Sequence, residues 1–146
     1  MIELHSSHPA KDQVRFIVDG FRDRTLPKEQ WTHEAHLVTS LWFFSNHTEY
    51  EAISYLRSGI ITFNFQKGGK NTPTDGYHET MTLFWCRIIC DFVEVNKNMS
   101  LSELCQSFLG SEQASRDFPF RYYSRDLLLS VKARAIWVEP DLRQLD

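Results

Sequence analysis

The 146-residue chain has the length of one domain. Its 42% hydrophobic and 14% aromatic content supplies a packed interior and argues against disorder. A net charge of −3 without a basic stripe sets nucleic acid aside as a partner, and no apolar run approaches the roughly 18 residues of a membrane span.

Met1-Ile2-Glu3-Leu4-His5 shows no basic segment followed by an apolar one, so no signal peptide is expected and the expected location is cytoplasmic. Residues 1–8, with His5 and His8, are expected to form a flexible N-terminus, and Pro9 suits a helix start. From Ala10 onward, Val14, Ile17, Val18 and Phe21 follow the i, i+3, i+4, i+7 spacing of an amphipathic helix. After Thr25-Leu26-Pro27 and a short turn, Thr32 is a candidate N-cap for a helix running to about Ser45. Thr48-Glu49-Tyr50-Glu51 fits a capping box whose helix turns Ala52, Ile53, Leu56 and Ile60 inward, with Gly59 expected to end its regular part.

Residues 66–76 contain Gly68, Gly69, Gly76 and Pro73 and almost nothing apolar, so they read as a loop at the rim of a site. Gly68-Gly69-Lys70 lacks the spacing of a phosphate-binding P-loop. Thr74 or Asp75 is expected to cap the next helix, whose spine is Tyr77, Met81, Phe84, Ile88 and Val95, with a second stripe at His78, Thr82, Trp85, Ile89 and Phe92. Apolar over nearly half its circumference, it reads as the central helix of a bundle. Ser100-Leu101-Ser102-Glu103 is another capping box, opening a short helix that stops at Gly110. The aromatic connector 118–123 then leads to a last helical region starting at Ser124 or Asp126, running through Trp137 and stopping before Pro140. Cys86, Cys90 and Cys105 read as reduced core thiols. No strand pattern persists, so the expected class is all-α: residues 1–146 as one irregular bundle of about five or six helices.

Chemistry concentrates at two helix starts, Trp31-Thr32-His33-Glu34-Ala35-His36-Leu37 and Gly76-Tyr77-His78-Glu79-Thr80. His33 and His36 share a helix face at i, i+3. Burying three imidazoles separately demands partners for six ring nitrogens, whereas a metal takes one from each. The positive end of a helix dipole favours neutral imidazole, which is the ligand form. His33, His36 and His78 are therefore the candidate ligands for a divalent transition metal, zinc first, with one position left open for water. The spacing His-Glu-x-His departs from the zincin His-Glu-x-x-His, so Glu34 inherits no metalloprotease role. Glu79 and Glu34 remain candidate catalytic carboxylates acting from the side. Tyr77, Arg134, Arg57 and Tyr122 are candidate ligand-binding residues, with Arg121 a further cation. The alternative is a pocket lined by the same histidines that binds a small anion, or histidines that serve structure alone.

The stretches 31–37 and 76–80, with Ala133-Arg-Ala-Ile-Trp-Val-Glu-Pro-Asp-Leu142, resemble a family of small bacterial all-α proteins over roughly residues 25–145. The resemblance implies no particular reaction or substrate. It does imply that both histidine stretches and the Arg134–Asp141 tail belong to one design, with the tail folding back near the site and Arg134 clamping an anion. The expected function is a metal-dependent enzyme, hydrolytic, acting on a small molecule; a non-catalytic module that binds or senses a small anion or a metal is the alternative.

Overall fold

A computed structural model describes residues 11–146, and the expectations for residues 1–8 and Pro9 lie outside them. Seven α-helices follow in chain order: α1 (Lys11–Arg22), α2 (His33–Asn46), α3 (Glu49–Gln66), α4 (Glu79–Val95), α5 (Leu101–Leu109), α6 (Arg125–Leu128) and α7 (Val131–Ala135), with no strand among the described residues. The fold is all-α, and no described helix is long and apolar enough to cross a membrane.

Local sequence signals set most helix starts. The Thr32 hydroxyl accepts from the Ala35 N–H at the head of α2. The two capping boxes form as the sequence predicts, with Thr48 and Glu51 opening α3 and Ser100 and Glu103 opening α5. Ser124 and Ser130 cap α6 and α7 through the hydroxyl alone, accepting from Leu127 N and Ala133 N. Ser130 therefore splits the expected last helical region into two single-turn helices, and Trp137 lies beyond both.

Two expectations about helix limits change, each for a tertiary reason. α3 runs straight through Gly59, because the missing side chain is what lets the helix approach Phe21: a Cβ there would meet Phe21 Cζ at 2.6 Å. α4 is capped by His78, not by Thr74 or Asp75, and starts at Glu79. The spine expected along α4 holds at Phe84 and Ile88, but Val95 is exposed in the last turn.

The central helix is α2, where α4 was expected. α2 packs against α1, α3, α4 and α5 and buries Ala35, Leu37, Val38, Leu41, Phe43 and Phe44. A helix apolar around most of its circumference belongs in an interior. One apolar cluster joins it to α1, α4 and the aromatic connector, where Tyr123 is fully buried and its hydroxyl donates to Val138 O at 2.7 Å. α4 also packs on α7. Buried Thr80 accepts from Val138 N and donates to Ile136 O, so the C-terminal stretch is tied to the first turn of α4.

Phe21 stacks on Trp31 with ring centroids 4.7 Å apart, so its ring cannot yield to a new methyl at position 59 without disturbing the wall beside α2. Gly59→Ala is expected to destabilise the protein by about 1–3 kcal/mol through overpacking, measured by urea denaturation; a neutral effect would mean the Phe21 ring is free to move.

Candidate functional site

The first turns of α2 and α4 face one cavity of about 350 Å³, a volume within the usual range for small-molecule sites, roughly 300–1,000 Å³. His33, His36 and His78 all line it, so the three imidazoles converge from separate chain segments. Trp31 and Trp85 contribute aromatic wall, and Leu37, Leu56, Ile60 and Met81 apolar wall.

Hydrogen bonds settle the tautomer of each ring, because a carbonyl oxygen can only accept. His36 Nδ1 donates to Thr32 O at 2.8 Å, leaving the Nε2 lone pair unpartnered among the described residues. His33 Nε2 donates to Ala114 O at 2.8 Å, leaving the Nδ1 lone pair. His78 uses both nitrogens: Nε2 donates to Leu128 O at 2.8 Å, and Nδ1 accepts the Met81 N–H at 3.1 Å as the cap of α4. A metal ion on His78 would have to open that cap. Among the described residues, no group of three or more His, Cys, Asp or Glu side chains is arranged to hold a metal ion.

Two of the rings, His36 and His78, are held neutral. Burial lowers the pKa of His36 to about 4, outweighing the Thr32 hydrogen bond, and the neighbouring His33 and Arg116 push in the same direction. Burial also lowers the pKa of His78, against the Leu128 hydrogen bond and with help from the Arg134 charge. Trp31 lies against the His36 ring, centroids 3.8 Å apart, and Trp85 meets His33 edge-on at 5.4 Å.

The other residues singled out in the sequence fall into three positions. Tyr77, Glu79 and Arg57 form one network beside the cavity. Arg57 makes a two-pronged pair with Glu79, Nε to Oε1 at 3.0 Å and Nη2 to Oε2 at 2.8 Å, and the Tyr77 hydroxyl donates to Glu79 Oε1 at 2.5 Å. Burial works to raise the Glu79 pKa, but the hydrogen bonds from Arg57 and Tyr77 outweigh it and hold the carboxyl below its ordinary value. Glu79 is thus an ionised anchor between α3 and α4, with both oxygens engaged; of the three, only Tyr77 lines the cavity.

Arg134 does fold back on the 76–78 segment, where Nη1 donates to Gly76 O at 2.7 Å and Tyr77 O at 3.4 Å. It grips backbone and does not line the cavity. Glu34 sits half-buried in the first turn of α2, off the cavity wall. Tyr122 lies apart, packed on Phe84 and Phe118 under Arg143, and Arg121 pairs with Glu112 at the surface.

Gly76, Tyr77 and His78 close one side of the cavity; of the 66–76 loop expected at its rim, Gly76 alone lines it. Asn71 Nδ2 donates to Ile61 O, and its Oδ1 accepts from Tyr77 N. Gly76 adopts φ +82°, and a Cβ there would collide with Lys70 O, so this tight return requires glycine.

Several cavity residues carried no signal in the sequence. Arg116 lies in the polar stretch after α5, with no spacing relation to either histidine motif, yet among the described residues this exposed side chain is the one charged group on the wall apart from titratable histidine. Cys86 lines the wall as a thiol whose pKa burial pushes up to about 12. Trp85 and Thr82 were legible as the α4 stripe shared with His78. Comparison of the chain with known protein families, curated proteins and solved structures finds no match.

Two measurements test this arrangement. Folded His36 takes up a proton only near pH 4, whereas an unfolded imidazole does so near 6.5. Between those values the unfolded chain binds more protons. His36 should therefore make stability fall as pH drops from about 6.5 toward 4, by up to about 3 kcal/mol, with its full contribution present above 6.5. Urea denaturation across that range should show the slope, and His36→Gln should lose most of it. Second, His78→Ala should cost about 2 kcal/mol, roughly half from the lost cap and half from the lost Leu128 bond. His78→Asn, which restores a capping oxygen, should recover about 1 kcal/mol; equal losses in the two variants would refute the cap.

Proposed function

We propose that the cavity between the starts of α2 and α4 is a small-molecule binding site, with imidazoles as its polar wall. The observation that carries this is the convergence of three histidines from two distant segments on one cavity, two of them keeping a ring nitrogen without a partner among the described residues. His78, by contrast, engages both nitrogens in the fold. The aromatic and apolar walls suit the body of a ligand, and the few polar groups orient it.

Saturation-transfer NMR with a library of small fragments tests the proposal. Fragments should bind saturably, and Ser40→Phe, which fills the cavity from the α2 wall, should abolish those signals while circular dichroism stays unchanged. Fragment binding that survives Ser40→Phe in a folded protein would place the site elsewhere.

A second reading has a specific observation in its favour. His33 and His36 each give one ring N–H to a backbone carbonyl and keep the other nitrogen as a lone pair, the arrangement common to metal-ligating imidazoles. A divalent transition metal, zinc first, would take these two nitrogens, with solvent or the bound molecule completing its shell. Hydrolysis is the chemistry such a centre supplies. Metal analysis of untagged protein equilibrated with zinc decides it. One zinc per chain, lost in His33→Ala and His36→Ala but retained in His78→Asn, supports the reading; absence of bound zinc in the parent protein overturns it.

A further inference from the structure

We propose, building on the reading of this cavity as a ligand site, that its ligand is a small hydroxycarboxylic acid with an apolar body. Among the described residues the cavity wall contains no Asp or Glu, and Arg116 is its only permanently charged group. Arg116 is exposed, at the solvent side of that wall, and makes no ion pair or hydrogen bond among the described residues, whereas Arg57, Arg87 and Arg121 each have a carboxylate. A wall whose one guanidinium has no carboxylate partner and is free to turn toward a ligand is matched by a ligand with a single negative charge. A carboxylate suits the planar fork of that side chain.

A second donor points to the same ligand group. Trp31 lines the cavity, and its Nε1 is buried with no hydrogen-bond partner among the described residues. Leaving such a donor unpaired is costly; Nε1 is closed off as the ring stands, so a ligand oxygen satisfies it only after a small turn of the indole.

The histidines ask for the opposite. His36 Nε2 is a lone pair on a neutral ring, so it accepts a hydrogen bond and repels a carboxylate. The ligand must bring a donor as well as its anion. An ammonium group would add positive charge to a wall already carrying Arg116 with no carboxylate to balance it, which selects a hydroxyl. Leu37, Leu56, Ile60 and Met81, between the two tryptophans, then receive a hydrocarbon body.

Four probes with one body separate these requirements: phenyllactate, phenyllactamide, 3-phenylpropionate and phenylalanine, titrated calorimetrically at pH 7.5 into the parent protein, Arg116→Gln and His36→Leu. Phenyllactate should bind most tightly. Phenyllactamide should bind at least ten times more weakly, and Arg116→Gln should erase that difference. 3-Phenylpropionate should bind about five to ten times more weakly, a difference that His36→Leu should erase, and phenylalanine should be disfavoured. If phenyllactamide binds as well as phenyllactate, or if the preference for the acid persists in Arg116→Gln, the ligand class is overturned. If none of the four binds while fragment signals still depend on Ser40, the ligand class is wrong and the cavity reading stands. If fragment binding also ignores Ser40, both fail.

Discussion

The arrangement depends on three imidazole N–H groups, each given to a backbone carbonyl. His36 bonds within its own helix start, to Thr32. His33 reaches Ala114 across 81 positions of sequence, and His78 reaches Leu128 across 50. The last two bonds fasten the irregular C-terminal third, which has little regular helix of its own, to the heads of α2 and α4. A hydrogen bond of this kind contributes only about 1 kcal/mol net, but breaking one leaves a polar group unsatisfied, which costs more. The same bonds determine which nitrogen of each ring keeps its lone pair, so one set of contacts serves both the fold and the cavity.

Neutrality of His36 and His78 follows from position. They sit where burial disfavours charge, at helix ends where the dipole does so too, and Arg116 adds to the effect on His36. The wall opposite is stiffened independently. Arg57, Glu79 and Tyr77 lock α3 to α4, Arg134 clips the 76–77 carbonyls, and Asn71 spans from Ile61 to Tyr77. Residues that look catalytic by type, an ionised glutamate beside a phenol and two arginines, are here spent on holding the frame of the cavity. Among the described residues that line the cavity, His33, His36, Arg116 and the Trp31 indole keep unused hydrogen-bonding capacity.

The features legible in the sequence are those decided locally. Thr32, Thr48 and Ser100 announce their helices because a cap needs only the residue three positions on. His33, His36 and His78 could be grouped from their shared place at helix starts. What escaped the sequence depends on distant partners. His78 caps α4 with its ring held by Leu128, which no nearby pattern encodes. Gly59 looks like a helix stop until Phe21 is found against it. Arg116 belongs to the site only because the chain after α5 returns past the head of α2, bringing Ala114 to His33. Glu79 and Arg57 were both assigned to the site by residue type, but their charges answer one another.

The central claim is that each of these rings keeps a proton on one fixed nitrogen, given to a backbone carbonyl, and that His36 and His78 are neutral. Long-range ¹H–¹⁵N NMR of the imidazole nitrogens at pH 7 tests it directly. The account predicts Nδ1–H for His36 and Nε2–H for His33 and His78, with one protonated and one bare nitrogen shift for His36 and His78. Averaged shifts from rapidly exchanging tautomers, or two protonated nitrogens on His36 or His78, would contradict it.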